Sequence, residues 1–168
     1  MAEVLDFVLY DTWQPSTTAS AEAVLFQTPQ GGDSTHTEAF TNMMGAGSLP
    51  ESLKFTVNQI RLEISPAATQ ANLRIIATES FLEFRVGGKD YVKAPISFFA
   101  GRANFAGQYT LETAADACMM GFVAEPHALQ FPIVIPGGTA FRIRAVQGAA
   151  LGATTNVKVL LVGNLERD

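Results

Sequence analysis

Apolar and polar residues alternate with a period of two along much of this 168-residue chain. That period belongs to half-buried strands and not to helices. Leu82, Phe84 and Val86 alternate with Glu83 and Arg85, Gly87-Gly88 supplies a tight reversal, and Lys89-Asp90-Tyr91-Val92 starts the return. Two-residue hairpin turns need positive φ, which glycine adopts without steric cost. Leu129, Phe131, Ile133 and Ile135 alternate in the same way with Gln130, Pro132 and Val134. Pro136-Gly137-Gly138 follows, then Phe141, Ile143 and Ala145 alternate with Arg142 and Arg144. The expectation is a second hairpin whose return strand carries a cationic outer face.

The longest strand expected is Leu53–Ile64. Leu53, Phe55 and Val57 share one parity, Ile60, Leu62 and Ile64 the other, and the slip at Asn58-Gln59 predicts a bulge or bend. Val4–Tyr10, Ala23–Phe26, Leu73–Ala77, Ile96–Phe99 and Val157–Val162 bring the expected count to roughly eight to ten strands. Competing helices are weak. Ala67–Ile76 has the composition for one or two turns after Pro66, and Leu111–Met120 holds helix formers without a sustained apolar stripe. Asp11–Ala21, Thr28–Glu38 and Asn42–Glu51 read as loops, all in the first third of the chain.

Numerous short antiparallel strands on one domain leave a sandwich, a barrel or a jelly roll, and an all-β antiparallel sandwich of jelly-roll type with long N-terminal loops fits best. An immunoglobulin-like sandwich lacks its Cys…Trp…Cys pattern, because Trp13 falls in an early loop and Cys118 is the single cysteine. The organisation expected is a single domain in which residues 1–52 supply strands, loops and contacts to neighbours, and residues 53–168 form the core of the sandwich. Long loops in a compact domain are functional or are ordered by neighbouring chains. Deleting residues 1–48 should on this view leave a folded domain.

Charge and chemistry narrow the function. With pI ≈ 5.0 and cations scattered singly, the chain has no basic stripe to neutralise phosphates, so nucleic acid is not an expected partner. Apolar stretches such as Ala128–Ala140 are short or broken by Gly and Pro, below the ~18–20 residues a bilayer requires, so neither is a membrane. The first residues lack a cationic region followed by an apolar one, which leaves synthesis in a cytosol as the expectation. His36-Thr37-Glu38 puts an imidazole and a carboxylate two apart, but His127 is the only other histidine and lies far along the chain. Phe141 stands where a cupin places its metal histidine, so no metal or cofactor is expected. Among Glu63, Glu79, Glu83 and Glu112 no pair declares itself for glycoside hydrolysis, and Glu83 reads as a solvated or salt-paired strand residue. A Gly-x-Ser-x-Gly elbow is absent, Cys118 reads as a buried hydrophobe, and Gly45-Ala46-Gly47 precedes Pro50 instead of opening a helix. No enzymatic activity is expected. The twelve phenylalanines read mostly as core, among them Phe55, Phe81, Phe84, Phe98, Phe99, Phe131 and Phe141, with one of the adjacent Phe98 and Phe99 free to anchor a neighbour.

The run Phe40-Thr41-Asn42-Met43-Met44-Gly45-Ala46-Gly47-Ser48-Leu49-Pro50 and the strand Lys54–Ile64 after it resemble small jelly-roll virion proteins of bacteriophages. The block Leu82–Lys89, the apolar strand ending in Pro-Gly-Gly before Phe141-Arg142-Ile143-Arg144, and the closing strand to Arg167 fit the same order, so the resemblance spans residues 40–167. It implies a capsid decoration or cement protein, made in the host cytoplasm and placed on the capsid surface. Its partners would be the major capsid protein and further copies of itself, typically a trimer. A shell protein built on its own jelly roll, or a carbohydrate- or receptor-binding module of a tail or fibre, are the alternatives. A charged fraction of only 16% is compatible, since an oligomer covers surface that a monomer must keep polar. Trp13, Phe26, Phe40, Met43, Met44 and Leu49 are the candidate contacts to neighbours, with the competing reading that Met43 and Met44 plug the mouth of the sandwich.

Overall fold

The computed structural model of the chain describes residues 3–65, 68–99 and 127–167. Its strands are β1 (Glu3–Trp13), β2 (Ala21–Leu25), β3 (Leu53–Ile64), β4 (Ser80–Val86), β5 (Lys89–Pro95), β6 (His127–Pro136), β7 (Phe141–Gln147) and β8 (Val157–Arg167). Two helices, α1 (Gln70–Glu79) and α2 (Ile96–Phe99), interrupt them. The strands form two antiparallel four-stranded sheets, ordered β1-β8-β3-β6 and β2-β7-β4-β5. The all-β expectation therefore holds. Pairing runs from the chain ends inward, β1 with β8, β2 with β7, β3 with β6 and β4 with β5, and successive pairs fall in alternate sheets. Between the sheets, Leu9, Trp13, Phe55, Ile60, Val159 and Leu161 from the first meet Leu25, Phe84, Phe141 and Ile143 from the second. Among the described residues no helix is long and apolar enough to cross a membrane.

The slip at Asn58-Gln59 is a bulge, as its parity change requires: the register of β3 shifts between Val57 and Gln59 against both β8 and β6. Phe55 and Val57 are buried before it and Ile60 and Leu62 after it, so one long strand keeps both halves on the core. On the outer face the extra residue joins a polar ladder, in which Asn58 donates to Asn164 (2.8 Å) and Asn164 to Asp6 (3.0 Å). The edge of β1 is also covered. The Asn42 side chain donates to the Val8 carbonyl (2.7 Å) and accepts from the Tyr10 N–H (2.8 Å), while the Thr12 hydroxyl donates to the Phe40 carbonyl (2.7 Å). The 37–43 loop thus satisfies strand groups that would otherwise template another chain.

Four expectations fail, each for a physical reason. β6 and β7 do not form a hairpin: the Pro136-Gly137-Gly138 turn carries the chain from one sheet to the other. A Cβ on Gly137 would lie 2.4–2.5 Å from the carbonyl oxygens of Pro50, Glu51 and Leu53, so glycine is required there by close backbone approach across the sandwich end. Phe131 is not core but 77% exposed. Two residues of advance on β3, from Val57 to Gln59, are matched on β6 by the five from Ile133 to Ala128, and Pro132 lies in this outward excursion with no N–H for the ladder. Phe131→Ser is accordingly expected to change the unfolding free energy by no more than about 0.5 kcal/mol, against about 3–5 kcal/mol for Phe55→Ala, both read by urea denaturation.

Leu73–Ala77 is helix, not strand. The Thr69 hydroxyl caps α1 by accepting from the Asn72 N–H (3.2 Å), and Asn72, Leu73, Ile76 and Ala77 are buried at helical spacing. The alternative helix over Ala67–Ile76 had the right type and began too early. Ile96–Phe99 is likewise the helical turn α2, burying Ile96 and Phe99 at i, i+3 and leaving Phe98 49% exposed. Leu111–Met120, Glu112 and Cys118 lie outside the described residues, as does the side chain of His127.

Candidate functional site

Of the six residues expected to contact neighbours, Trp13, Phe26, Met43 and Leu49 are buried within this chain's own core. That is a correction with a plain cause: β1 runs to Trp13, three residues beyond the expected strand end at Tyr10, and turns Leu9, Asp11 and Trp13 inward. Phe40 is half-buried against the β1 edge, and Met44 alone is well exposed, at 45%. Met43 thus fills the sandwich as the competing reading had it, whereas Met44 does not. Residues 1–52 supply β1 and β2, one strand to each sheet, so removing residues 1–48 would strip both sheets and uncover Val159 and Ile143.

The side chains that face outward tell more. On the outer face of the first sheet, Val4 and Val8 of β1 and Val134 of β6 are exposed and Leu160 and Val162 of β8 half-buried, a strip that the Asn58–Asn164–Asp6 ladder crosses. Charged residues rim this strip: Lys54 pairs with Glu166 at one end, and Arg61, Glu63 and Lys158 lie at the other.

On the second sheet, cross-strand register sets charge against charge. Arg144 of β7 stands opposite Glu83 of β4, which stands opposite Lys93 of β5. The Glu83 carboxylate, buried as a residue, lies 3.3 Å from Arg144 Nη1 and 3.5 Å from Lys93 Nζ, so it is salt-paired as expected. Arg144 Nε also meets Glu22 of β2 at 2.6 Å, and its bonded guanidinium holds the Glu22 carboxyl below its ordinary value. Two residues along, Arg85 stands directly opposite Arg142. Arg85 grips Asp90 through Nε and through Nη2 (2.9 Å), which lowers the Asp90 pKa and raises that of Arg85. Arg142 has no ion pair or hydrogen bond among the described residues, and its Nε is buried without a partner.

Arg85 and Arg142 line a cleft of about 260 Å³ with Gln27, Gly87, Ala140 and Phe141. The Gln27 amide donates to the Phe141 carbonyl (2.9 Å), and Gly87 N–H to the Ala140 carbonyl (2.7 Å), which ties the β4–β5 turn to the start of β7. Sequence reasoning found the outward cations of β7 but not this cleft. The signal was present in Arg85 and Arg142, but their meeting depends on the register of two strands more than fifty residues apart in sequence.

His36 pairs with Asp33. His36 Nδ1 lies 2.8 Å from Asp33, whose carboxyl is held well below its ordinary value, first by the Thr35 hydroxyl and then by His36. The backbone carbonyl of Glu38 accepts from the Tyr10 hydroxyl (2.5 Å). Among the described residues no three His, Cys, Asp or Glu side chains are grouped to hold a metal. Comparison with protein-family models, with curated proteins and with solved structures finds no match.

Proposed function

We propose that the protein is a structural component of a virus particle, a jelly-roll chain of the phage decoration or cement type that binds a major capsid shell as an oligomer. The observation that carries this reading is the pairing of strands from the ends inward, with consecutive pairs in alternate sheets. A single long hairpin with β4 and β5 at its tip produces that order when it is wrapped into two sheets. This is how a jelly roll is wound, and viral capsid domains, lectins and cupins use it.

A fold alone does not fix function, so the surface has to support the choice. The outer face of the first sheet sets Val4, Val8, Leu160, Val162 and Val134 around the Asn58–Asn164–Asp6 ladder, a mixed apolar and polar surface such as protein interfaces have. A sheet face suits another protein better than a small ligand, which calls for a concave site. Sedimentation velocity at micromolar concentration is expected to show an oligomer, with a trimer the form implied by cement proteins, and Val8→Lys combined with Val162→Lys is expected to shift it toward monomer. Protein quantification in purified particles is expected to give copies in proportion to shell subunits. A monomer absent from particles overturns the proposal, and a few copies per particle would assign the chain to a tail instead.

A further inference from the structure

We infer that the cleft between the β4–β5 turn and the start of β7 binds an oxyanion, a carboxylate or phosphate group gripped by the Arg142 guanidinium. The charge pattern of the second sheet leads there. Arg85, Lys93, Arg142 and Arg144 face outward with the carboxylates of Glu22, Glu83 and Asp90, and those three are taken up by Arg144, Lys93 and Arg85. Arg142 is left without an ion pair among the described residues: Glu22 and Asp90 feel its charge but are bonded to Arg144 and Arg85, so these four cations and three carboxylates keep a net positive charge in a chain whose net charge is −5. It also stands directly across from a second arginine, a cross-strand arrangement that like charges disfavour and that the Asp90 carboxylate, bonded to Arg85, relieves in part.

Burial points the same way. Buried polar atoms nearly always have a partner, and an exception in a folded chain calls for a reason. Arg142 Nε is such an exception, and it belongs to a residue that lines the cleft. The planar fork of arginine matches two oxygens of a carboxylate or phosphate at once. Gln27 adds a second donor: one amide N–H is spent on the Phe141 carbonyl, and the other has no partner among the described residues. At about 260 Å³ the cleft holds an anionic group and little more, below the roughly 300–1,000 Å³ of pockets that enclose drug-sized ligands.

The test follows the Arg142 Nε–Hε resonance of the full chain during titration with inorganic phosphate or succinate, against chloride at equal ionic strength. A saturable shift with phosphate or succinate and none with chloride is expected. Tryptophan fluorescence or calorimetry should show binding at least about tenfold weaker in Arg142→Gln and in Arg142→Lys, which keeps the charge and loses the fork. Arg144→Gln should leave the affinity unchanged, because Arg144 is already spent on Glu22 and Glu83. Sedimentation with and without succinate separates the two sources of the anion. Loss of the oligomer means that a neighbouring chain supplies the carboxylate, and an unchanged oligomer means a free ligand. A shift that is linear or equal in chloride overturns the inference in the wild-type chain alone, and so does binding that survives Arg142→Gln.

Discussion

Gly163→Ala is expected to destabilise the protein by about 3 kcal/mol or more, one of the largest effects a single methyl group can have here. Gly163 faces the core in β8, between Phe7 of β1 and Val57 of β3. A Cβ at this position would lie 1.8 Å from the Thr56 carbonyl oxygen, 2.8 Å from its carbon and 3.0 Å from Val57 Cα. These are backbone atoms, so no side-chain rotation relieves the overlap. The bulge brings them there, since the register of β3 shifts immediately after Val57. Undoing the bulge is not an escape, because it would turn either Phe55 and Val57 or Ile60 and Leu62 out of the core. Two central strands must therefore separate. Trp13 is the only tryptophan and is 2% exposed, so its fluorescence reports urea unfolding of the sandwich directly. Gly152→Ala serves as the control, since the nearest atom to a Cβ there is Asn72 Oδ1 at 3.7 Å. A loss below about 1 kcal/mol for Gly163→Ala would mean that β3 does not cross β8 as described.

The bulge was legible in the sequence because a period of two registers a single inserted residue as a change of parity. The β4–β5 hairpin was legible too, since its two strands and its turn are contiguous. The β6–β7 connection was not. Pro136-Gly137-Gly138 has the chemistry of a reversal whether the next strand returns to the same sheet or crosses to the other, and the choice is made by β3 and β8 on one side and β2 and β4 on the other. The turn α2 is four residues long, too short to display a helical period. Phe131 fitted an apolar row that β6 follows only from Ile133 onward. The cationic face of β7 could be read residue by residue, whereas the lack of an ion pair at Arg142 among the described residues emerges only once Arg144, Lys93 and Arg85 have been matched with their carboxylates. Local pattern carried the elements, and long-range pairing carried the site.

The second large effect concerns a carboxylate inside the sandwich. Asp11 is 3% exposed and accepts from the N–H groups of Phe26 (2.5 Å) and Thr12 (2.9 Å). Phe26 is the only non-glycine residue with positive φ among those described, at 65°, a conformation that costs a bulky residue about 1–2 kcal/mol. Its ring is fully buried, 5.7 Å from that of Phe141, so the strain is tolerated where β2 ends and the ring must enter the core. Asp11→Ala leaves two N–H groups without their acceptor and is expected to cost about 3 kcal/mol. Combining it with Phe26→Gly, which needs no support at positive φ, should recover at least about 1 kcal/mol relative to additivity. Effects that add to within about 0.5 kcal/mol would show that Asp11 does not hold Phe26 in place. The same carboxyl gives a pH signature. Burial raises its pKa above the ordinary 3.8, against the opposing pull of the Phe26 and Thr12 N–H groups. The folded state therefore binds this proton more tightly than the unfolded chain, so the group's contribution is complete below the unfolded value and is lost as pH rises through the folded one. In Asp11→Asn that dependence disappears. The stability difference between wild type and Asp11→Asn should narrow as pH rises from below 3.8 through the raised value and stay constant above it. A difference that widens with pH over that interval would place the carboxylate in a site that favours its charge.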